Sequence, residues 1–113
     1  MRGVGVKYII YFDETGFSPF EYWVCSLQDK MLQHRIAARV SRVLEGNFGD
    51  FKNLHNGIYE MKMSFGGGIR IYFAIHKKEV VLLLCGGNKS SQARDIKKAE
   101  QLWTKFLEGQ YES

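Results

Sequence analysis

Residues able to handle a phosphodiester are concentrated on one face of a predicted β-sheet. Lys62, Arg70 and Tyr72 alternate with apolar residues there, Glu60 lies two residues before Lys62, and Lys89 follows the last strand. Arginine and lysine pair with phosphates, and aromatic rings stack on bases, so this set indicates an RNA or anion site. The structural alternative is that Glu60 and Lys62 form a surface ion pair of little energetic value and that Arg70 only decorates the sheet.

The sheet that must hold these residues is predicted between Gly57 and Lys89, where apolar and polar residues alternate with a period of two. The predicted strands are Ile58–Phe65, Ile69–His76 and Glu79–Cys85, joined by turns at Gly66–Gly68 and at Lys77-Lys78. A three-residue first loop places Lys62 opposite Tyr72, and a two-residue second loop places Arg70 opposite Cys85. A slip of one residue would mix the two faces, so the pattern favours this register.

That register gives the sheet an apolar back and a charged front. The back carries Tyr59, Met61, Met63, Ile71, Phe73, Ile75, Val80, Leu82 and Leu84, and the front becomes apolar only at Val81 and Leu83. We expect two helices to cover the back and a third to cover the apolar half of the front. A groove floored by Lys62, Arg70 and Tyr72 would then remain open.

Local signals predict the remaining elements. A capping box begins the first helix at Ser18-Pro19-Phe20-Glu21, and Asp29 precedes the second. The predicted elements are a strand at Val6–Phe12, helices at Ser18–Leu27, Lys30–Glu45 (stopped at Gly46) and Gln92–Leu107 (stopped at Gly109), and a short strand at Phe51–Leu54. They predict an α+β fold in two layers, with residues 1–113 as a single domain and Leu44 in the buried stripe of the second helix.

Arg35, Arg39 and Arg42 form a basic ridge along the second predicted helix. The ridge could contact phosphates, but it is also explained as a solvated face or as a docking surface for an acidic partner. Residues 30–107 hold fourteen Lys or Arg against six Asp or Glu, which suits a polyanionic partner.

Composition argues against several other classes of function. His34, His55 and His76 have no metal-ligand spacing, so we expect neither a metal nor a cofactor. Cys25 and Cys85 are predicted to be buried thiols of a cytoplasmic protein. The sequence contains no apolar run of membrane-spanning length and no secretory signal. The Gly86–Ser90 segment lacks Walker A spacing, although a lysine beside free N–H groups at a helix start would suit a phosphate.

The sequence resembles the RelE/ParE superfamily of bacterial toxins, and within it the phage-derived, HigB-like "addiction module killer" branch. The segments that carry the resemblance are Arg35-Ile36, Gly46–Asp50, Gly57–Lys62, Gly68–Phe73, Leu83–Lys89, Gln92 and Asp95-Ile96. The resemblance implies a RelE-like order of strand, two helices, antiparallel meander and C-terminal helix. For many relatives it also implies metal-independent cleavage of mRNA, free or on the ribosome, and neutralisation by a cognate antitoxin, here expected to be a helix-turn-helix protein.

In the chemistry that this resemblance implies, a ribose 2′-OH attacks the adjacent phosphate. Arg70 matches the phosphate-binding arginine and would stabilise charge, because a guanidinium stays protonated. Either Lys62 or Glu60 would be the base, and Lys89 the acid or the group that stabilises the leaving oxygen. The RNA-binding residues are predicted to be Tyr72, Lys52, Arg94 and Ser90. ParE-like relatives inhibit DNA gyrase without cleaving RNA, so a toxin that only binds its target is the alternative.

Overall fold

The computed structural model describes residues 7–43, 45–47, 49–77 and 80–112. The predictions that involve Val6, Leu44, Phe48, Lys78 and Glu79 lie outside these residues, as do the side chains of Val80 and Val81. The elements are β1 (Lys7–Ile10), α1 (Pro19–Ser26), α2 (Lys30–Val43), β2 (Phe51–Asn53), β3 (Tyr59–Met63), β4 (Ile69–His76), β5 (Val80–Gly87), a 3₁₀ turn (Lys89–Ser91) and α3 (Gln92–Glu112). This order confirms the α+β prediction.

The strands form one five-stranded sheet in the order β1-β5-β4-β3-β2. β1 runs parallel to β5, whereas β2, β3, β4 and β5 pair in antiparallel fashion. Helices pack on both faces of the sheet, as expected, so α3 adds a layer to the two that the sheet forms with α1 and α2. α1 and α2 cover the back, and α3 covers the front through Ala99 and partly buried neighbours such as Trp103.

The helix starts form where the local sequence predicts them. Ser18 Oγ accepts a hydrogen bond from the N–H of Glu21, and Asp29 Oδ1 accepts one from the N–H of Leu32. The predicted end of the last helix is wrong, because α3 continues through Gly109. A glycine inside a helix costs about 1 kcal/mol relative to alanine, which the apolar contacts of α3 with the sheet can offset.

The register of β5 differs from the predicted one for two reasons. His76 pairs with Val80, so the second loop is one residue longer than expected, and a bulge then interrupts the β4–β5 ladder between Tyr72 and Phe73. One residue of shift exchanges the two faces of a strand. Leu83 therefore packs with the back cluster, whereas Leu82 and Leu84 pack under α3, the reverse of the prediction.

The first loop is also longer than predicted. Met63 pairs with Ile69, which leaves five residues, 64–68, in the connection between β3 and β4. A shift of two residues keeps the same faces, so β3 and β4 present the expected back residues but different partners. Lys62 lies opposite Arg70, and Glu60 lies opposite Tyr72.

Two expectations from the sequence concern the burial of the cysteines and the possibility of a membrane-spanning segment. Cys85 is buried as predicted, but Cys25 is exposed on α1, so its assignment to the core is wrong. Within the described part of the chain, no helix combines the length and the apolar character needed to cross a bilayer.

Candidate functional site

Two neighbouring rows of residues cross the front of the sheet. The first, which we call the cation row, consists of Lys62, Arg70 and Gly87, which are paired across β3, β4 and β5. The second, the carboxylate row, consists of Lys52, Glu60, Tyr72 and Cys85, paired across β2 to β5. The predicted site residues therefore lie together in the fold, but they are divided between two environments.

Arg70 is the centre of the cation row, and it is largely buried. Its side chain is 7% exposed, Nη1 donates to the carbonyl of Gly68 at 3.0 Å, and Nε lies 3.6 Å from Glu60 Oε2. Nε has no hydrogen-bond partner among the described residues. A buried donor that is left unused requires an explanation, and this Nε faces the Glu60 carboxylate just beyond hydrogen-bond distance.

Glu60 is the hub of the carboxylate row and is only 2% exposed. Its Oε2 accepts hydrogen bonds from Tyr72 Oη at 3.1 Å and from Gln92 Nε2 at 2.7 Å, and it also faces Arg70. Its Oε1 lies 3.9 Å from the ammonium of the exposed Lys52. A carboxylate with this many partners and almost no exposed surface is poorly placed to take a substrate proton, so the geometry disfavours Glu60 as the base.

Tyr72 has no exposed surface, and its ring belongs to the core beneath α3. Burial and the adjacent Glu60 carboxylate raise the pKa of its hydroxyl, which therefore stays protonated and donates. The assignment of Tyr72 as a base-stacking residue is corrected, because a ring without exposed surface cannot stack on RNA in this conformation. Burial, followed by the charge of Asp95, raises the pKa of the Cys85 thiol to about 12.

The other predicted contact residues lie at the surface. Lys62, Lys89, Ser90, Arg94 and Lys52 are all exposed. Lys89 and Ser90 line an open depression with Gly66, Gly67 and Asn88, beside the Gly68 carbonyl that Arg70 holds. Lys62 lines a different depression, together with residues of α2. The prediction of a single groove is thus wrong, because Lys62 and Lys89 line separate depressions and Arg70 lines neither of the two.

The start of the last helical segment is capped by the protein itself. Asn88 Oδ1 accepts hydrogen bonds from the N–H groups of Ser90 and Ser91, and Ser91 Oγ accepts one from the N–H of Asn88. The expectation of free backbone N–H groups beside Lys89 is therefore wrong at these positions. Here an anion would depend on side-chain cations.

Gln92 and Asp95 are functional candidates that the sequence reasoning did not select. Gln92 connects α3 to Glu60, and the buried Asp95 carboxylate accepts a hydrogen bond from Ser91 Oγ over the backbone of Gly87. Their position at the first turn of a helix that follows a strand was the available signal. The described residues include no group of three or more His, Cys, Asp or Glu side chains arranged to hold a metal ion.

Residues 25–104 match the family model described as phage derived protein Gp49-like (DUF891). The chain belongs to this family. The family is related to the toxins of toxin–antitoxin addiction modules. An uncharacterized protein of Haemophilus influenzae (strain Rd) is 41% identical over 83 residues, which cover 74% of this chain and 84% of that protein. The residues that match the family model, 25–104, include both rows and the start of α3.

Proposed function

We propose that this Gp49-like protein is the toxin of a toxin–antitoxin module and that it cleaves mRNA without a metal ion. The observation that carries this proposal is the cation row. The buried Arg70 lies directly opposite the exposed Lys62 on the neighbouring strand β3. On its other side it lies opposite Gly87 of β5, and the exposed Lys89 follows two residues later. Positive groups on both sides of a fixed guanidinium suit a phosphodiester, whose charge grows on the equatorial oxygens as the 2′-OH attacks.

The geometry supports a narrower choice of roles than the sequence does. Lys62 removes the proton from the ribose 2′-OH, Arg70 stabilises the phosphorane, and Lys89 donates a proton to the 5′ oxygen as the P–O5′ bond breaks. The products would be a 2′,3′-cyclic phosphate and a free 5′-OH. Glu60 is a positioning residue, because it holds Arg70 and has little access to solvent. Lys52, Ser90 and Arg94 contact the flanking RNA.

A cognate antitoxin, proposed to be a helix-turn-helix protein, would neutralise this toxin. The cleaved mRNA would be either free or bound to the ribosome. The direct test of the enzymatic proposal uses purified protein with RNA and excess EDTA, and then translating ribosomes.

We expect a Lys62→Gln, Lys89→Gln variant to cleave RNA about 10²- to 10⁴-fold more slowly, the range that general acid–base groups supply. Both residues are exposed, so the fold should survive, as checked by circular dichroism. A Lys30→Gln, Lys105→Gln variant removes the same charge from exposed positions on α2 and α3 and should keep the parental rate.

Bacterial growth, measured when expression of the parent or of the variant is induced, distinguishes this proposal from the ParE-like alternative. If the Lys62, Lys89 double variant arrests growth as strongly as the parent, the RNase proposal is wrong. Inhibition of purified DNA gyrase by both proteins would then establish a toxin that binds its target without cleaving RNA.

A further inference from the structure

The arginines of α2 are a second basic feature, which the proposed reaction does not use. Arg35 and Arg42 are exposed and Arg39 is partly buried, whereas Ile36 and Val40 on the inner side of the helix belong to the core. The three guanidiniums therefore line the side of α2 that does not pack on the sheet. We call Arg35, Arg39 and Arg42 the arginine ridge.

Two surface depressions connect this ridge to the cation row. The first has a volume of about 230 Å³, and its lining includes Arg39, Arg42, Ser64, Phe65 and the proposed base Lys62. The second has a volume of about 200 Å³ and is lined by Arg35, Ala38, Arg39, Arg42 and Phe65. Because they share Arg39, Arg42 and Phe65, the two depressions are neighbours, and together they lead from Lys62 along α2.

The path is positively charged and contains an aromatic ring. The Cζ of Arg35 lies 4.2 Å from the centre of the Phe65 ring, which fixes the guanidinium at the surface. Burial, and then the charge of Arg42, lowers the pKa of Arg39, and the charge of Asp50 partly opposes this shift. Asp50 is the one acidic residue among those that line the first depression.

We propose that the arginine ridge is a binding track for single-stranded RNA that extends from Lys62 around the edge of the sheet. This inference rests on the proposed function and specifies where the flanking nucleotides lie. β2 pairs with β3 as far as Met61, and the N–H of Lys62 donates to the carbonyl of Asp50 just before β2, so the track passes Asp50 at this edge of the sheet. Continuity with Lys62 favours RNA over an acidic protein segment, which would have no reason to follow the path into the site.

The test measures binding separately from cleavage. The probe is a fluorescent RNA of about eight nucleotides with 2′-O-methyl groups throughout, a length within the usual footprint of single-strand-binding folds. Its affinity is measured between low and moderate salt. An Arg39→Gln, Arg42→Gln variant should bind about 10-fold or more weakly, and its salt slope should fall by about 1.4, since each lost phosphate contact contributes about 0.7. The Lys30→Gln, Lys105→Gln variant has the same net charge and should bind like the parent.

A second pair of variants moves Arg39 without changing the charge. A Cβ at Gly49 would collide with the Arg39 guanidinium, whereas a Cβ at Gly46 would meet nothing within 4 Å. Both glycines have positive φ, of 67° and 81°, so alanine is strained at either position. Gly49→Ala should therefore weaken RNA binding, and Gly46→Ala should not.

The results distinguish this inference from the proposed function. Active cleavage together with unchanged binding by the ridge variants would overturn the track alone. The track would also be overturned if those variants kept their RNA affinity but lost affinity for the antitoxin, since the ridge would then be a protein-docking surface. If the parent binds RNA without cleaving it, and the ridge variants bind RNA more weakly than the parent, the track is supported and the RNase proposal is wrong. A parent that neither binds nor cleaves RNA would overturn both.

Discussion

The carboxylate row and the cation row are adjacent on the same face of the sheet, and each has an exposed lysine at one end, yet they differ in the groups that contact their buried centres. In the carboxylate row, Glu60 and Tyr72 are buried and bonded to each other. In the cation row, Lys62 is exposed, and the opposite end is a glycine without a side chain. The first turn of α3 meets both rows in different ways, because Gln92 donates a hydrogen bond to the Glu60 carboxylate, whereas Asp95 packs against the backbone of Gly87.

This difference separates the support of the site from its chemistry. The buried carboxylate offsets the charge of Arg70 and fixes its position, as supporting groups behind a reactive centre commonly do. The exposed lysines remain free to meet a substrate. In the proposed reaction, burial therefore makes Glu60 a positioning residue and not the base.

Removing the hub of the carboxylate row should have the largest effect on stability. Glu60→Ala leaves the Arg70 guanidinium buried without its counter-charge, and breaking a buried pair in this way costs about 3–5 kcal/mol. Urea denaturation measures this loss. In the cation row, Lys62→Ala should change the free energy of unfolding by no more than about 0.5 kcal/mol, because Lys62 is exposed. Equal losses at the two positions would abolish the distinction between the rows.

The glycine that ends the cation row offers a smaller test. A Cβ at Gly87 would collide with the Asp95 carboxylate and lie 2.7 Å from Ser91 Oγ, so Gly87→Ala should cost about 1–3 kcal/mol through overpacking. Gly109 is helical and a Cβ added there would meet nothing within 4 Å, so Gly109→Ala should stabilise the protein by up to about 1 kcal/mol. Thermal unfolding of the two variants should therefore shift in opposite directions. A neutral Gly87→Ala would show that α3 is not seated on this row.

Features of the fold that depend on local sequence could be predicted. Ser18 and Asp29 cap their helices because a short oxygen-bearing side chain can reach a nearby backbone N–H wherever the chain goes next. The alternation in β3 and β4 assigned Met61 and Phe73 to the back, since a period of two persists under a two-residue shift.

Features that depend on non-local packing could not be predicted. Which residues of β5 face the back depends on the length of the β4–β5 loop and on a bulge that no residue type in the sequence indicates. One extra residue in that loop places Leu83 on the back. The prediction of the site failed for the same reason, because Glu60 and Tyr72 are polar residues in the sequence and nothing local indicates that α3 covers them. Whether a polar group is buried depends here on a helix that begins well beyond it in the chain.

A modest effect within the carboxylate row should come from Tyr72→Phe, which keeps the buried ring and removes its hydroxyl. The lost hydrogen bond to Glu60 Oε2 should cost about 1 kcal/mol at neutral pH. Because the folded state raises the pKa of Tyr72, the parent loses stability as pH rises above the unfolded value of about 10. The phenylalanine variant lacks this dependence, so the difference in unfolding free energy should narrow in alkali. RNA binding should stay within about 2-fold of the parent, because Tyr72 has no exposed surface from which its hydroxyl could contact RNA. A larger loss of RNA affinity would show that the Tyr72 hydroxyl is accessible to RNA.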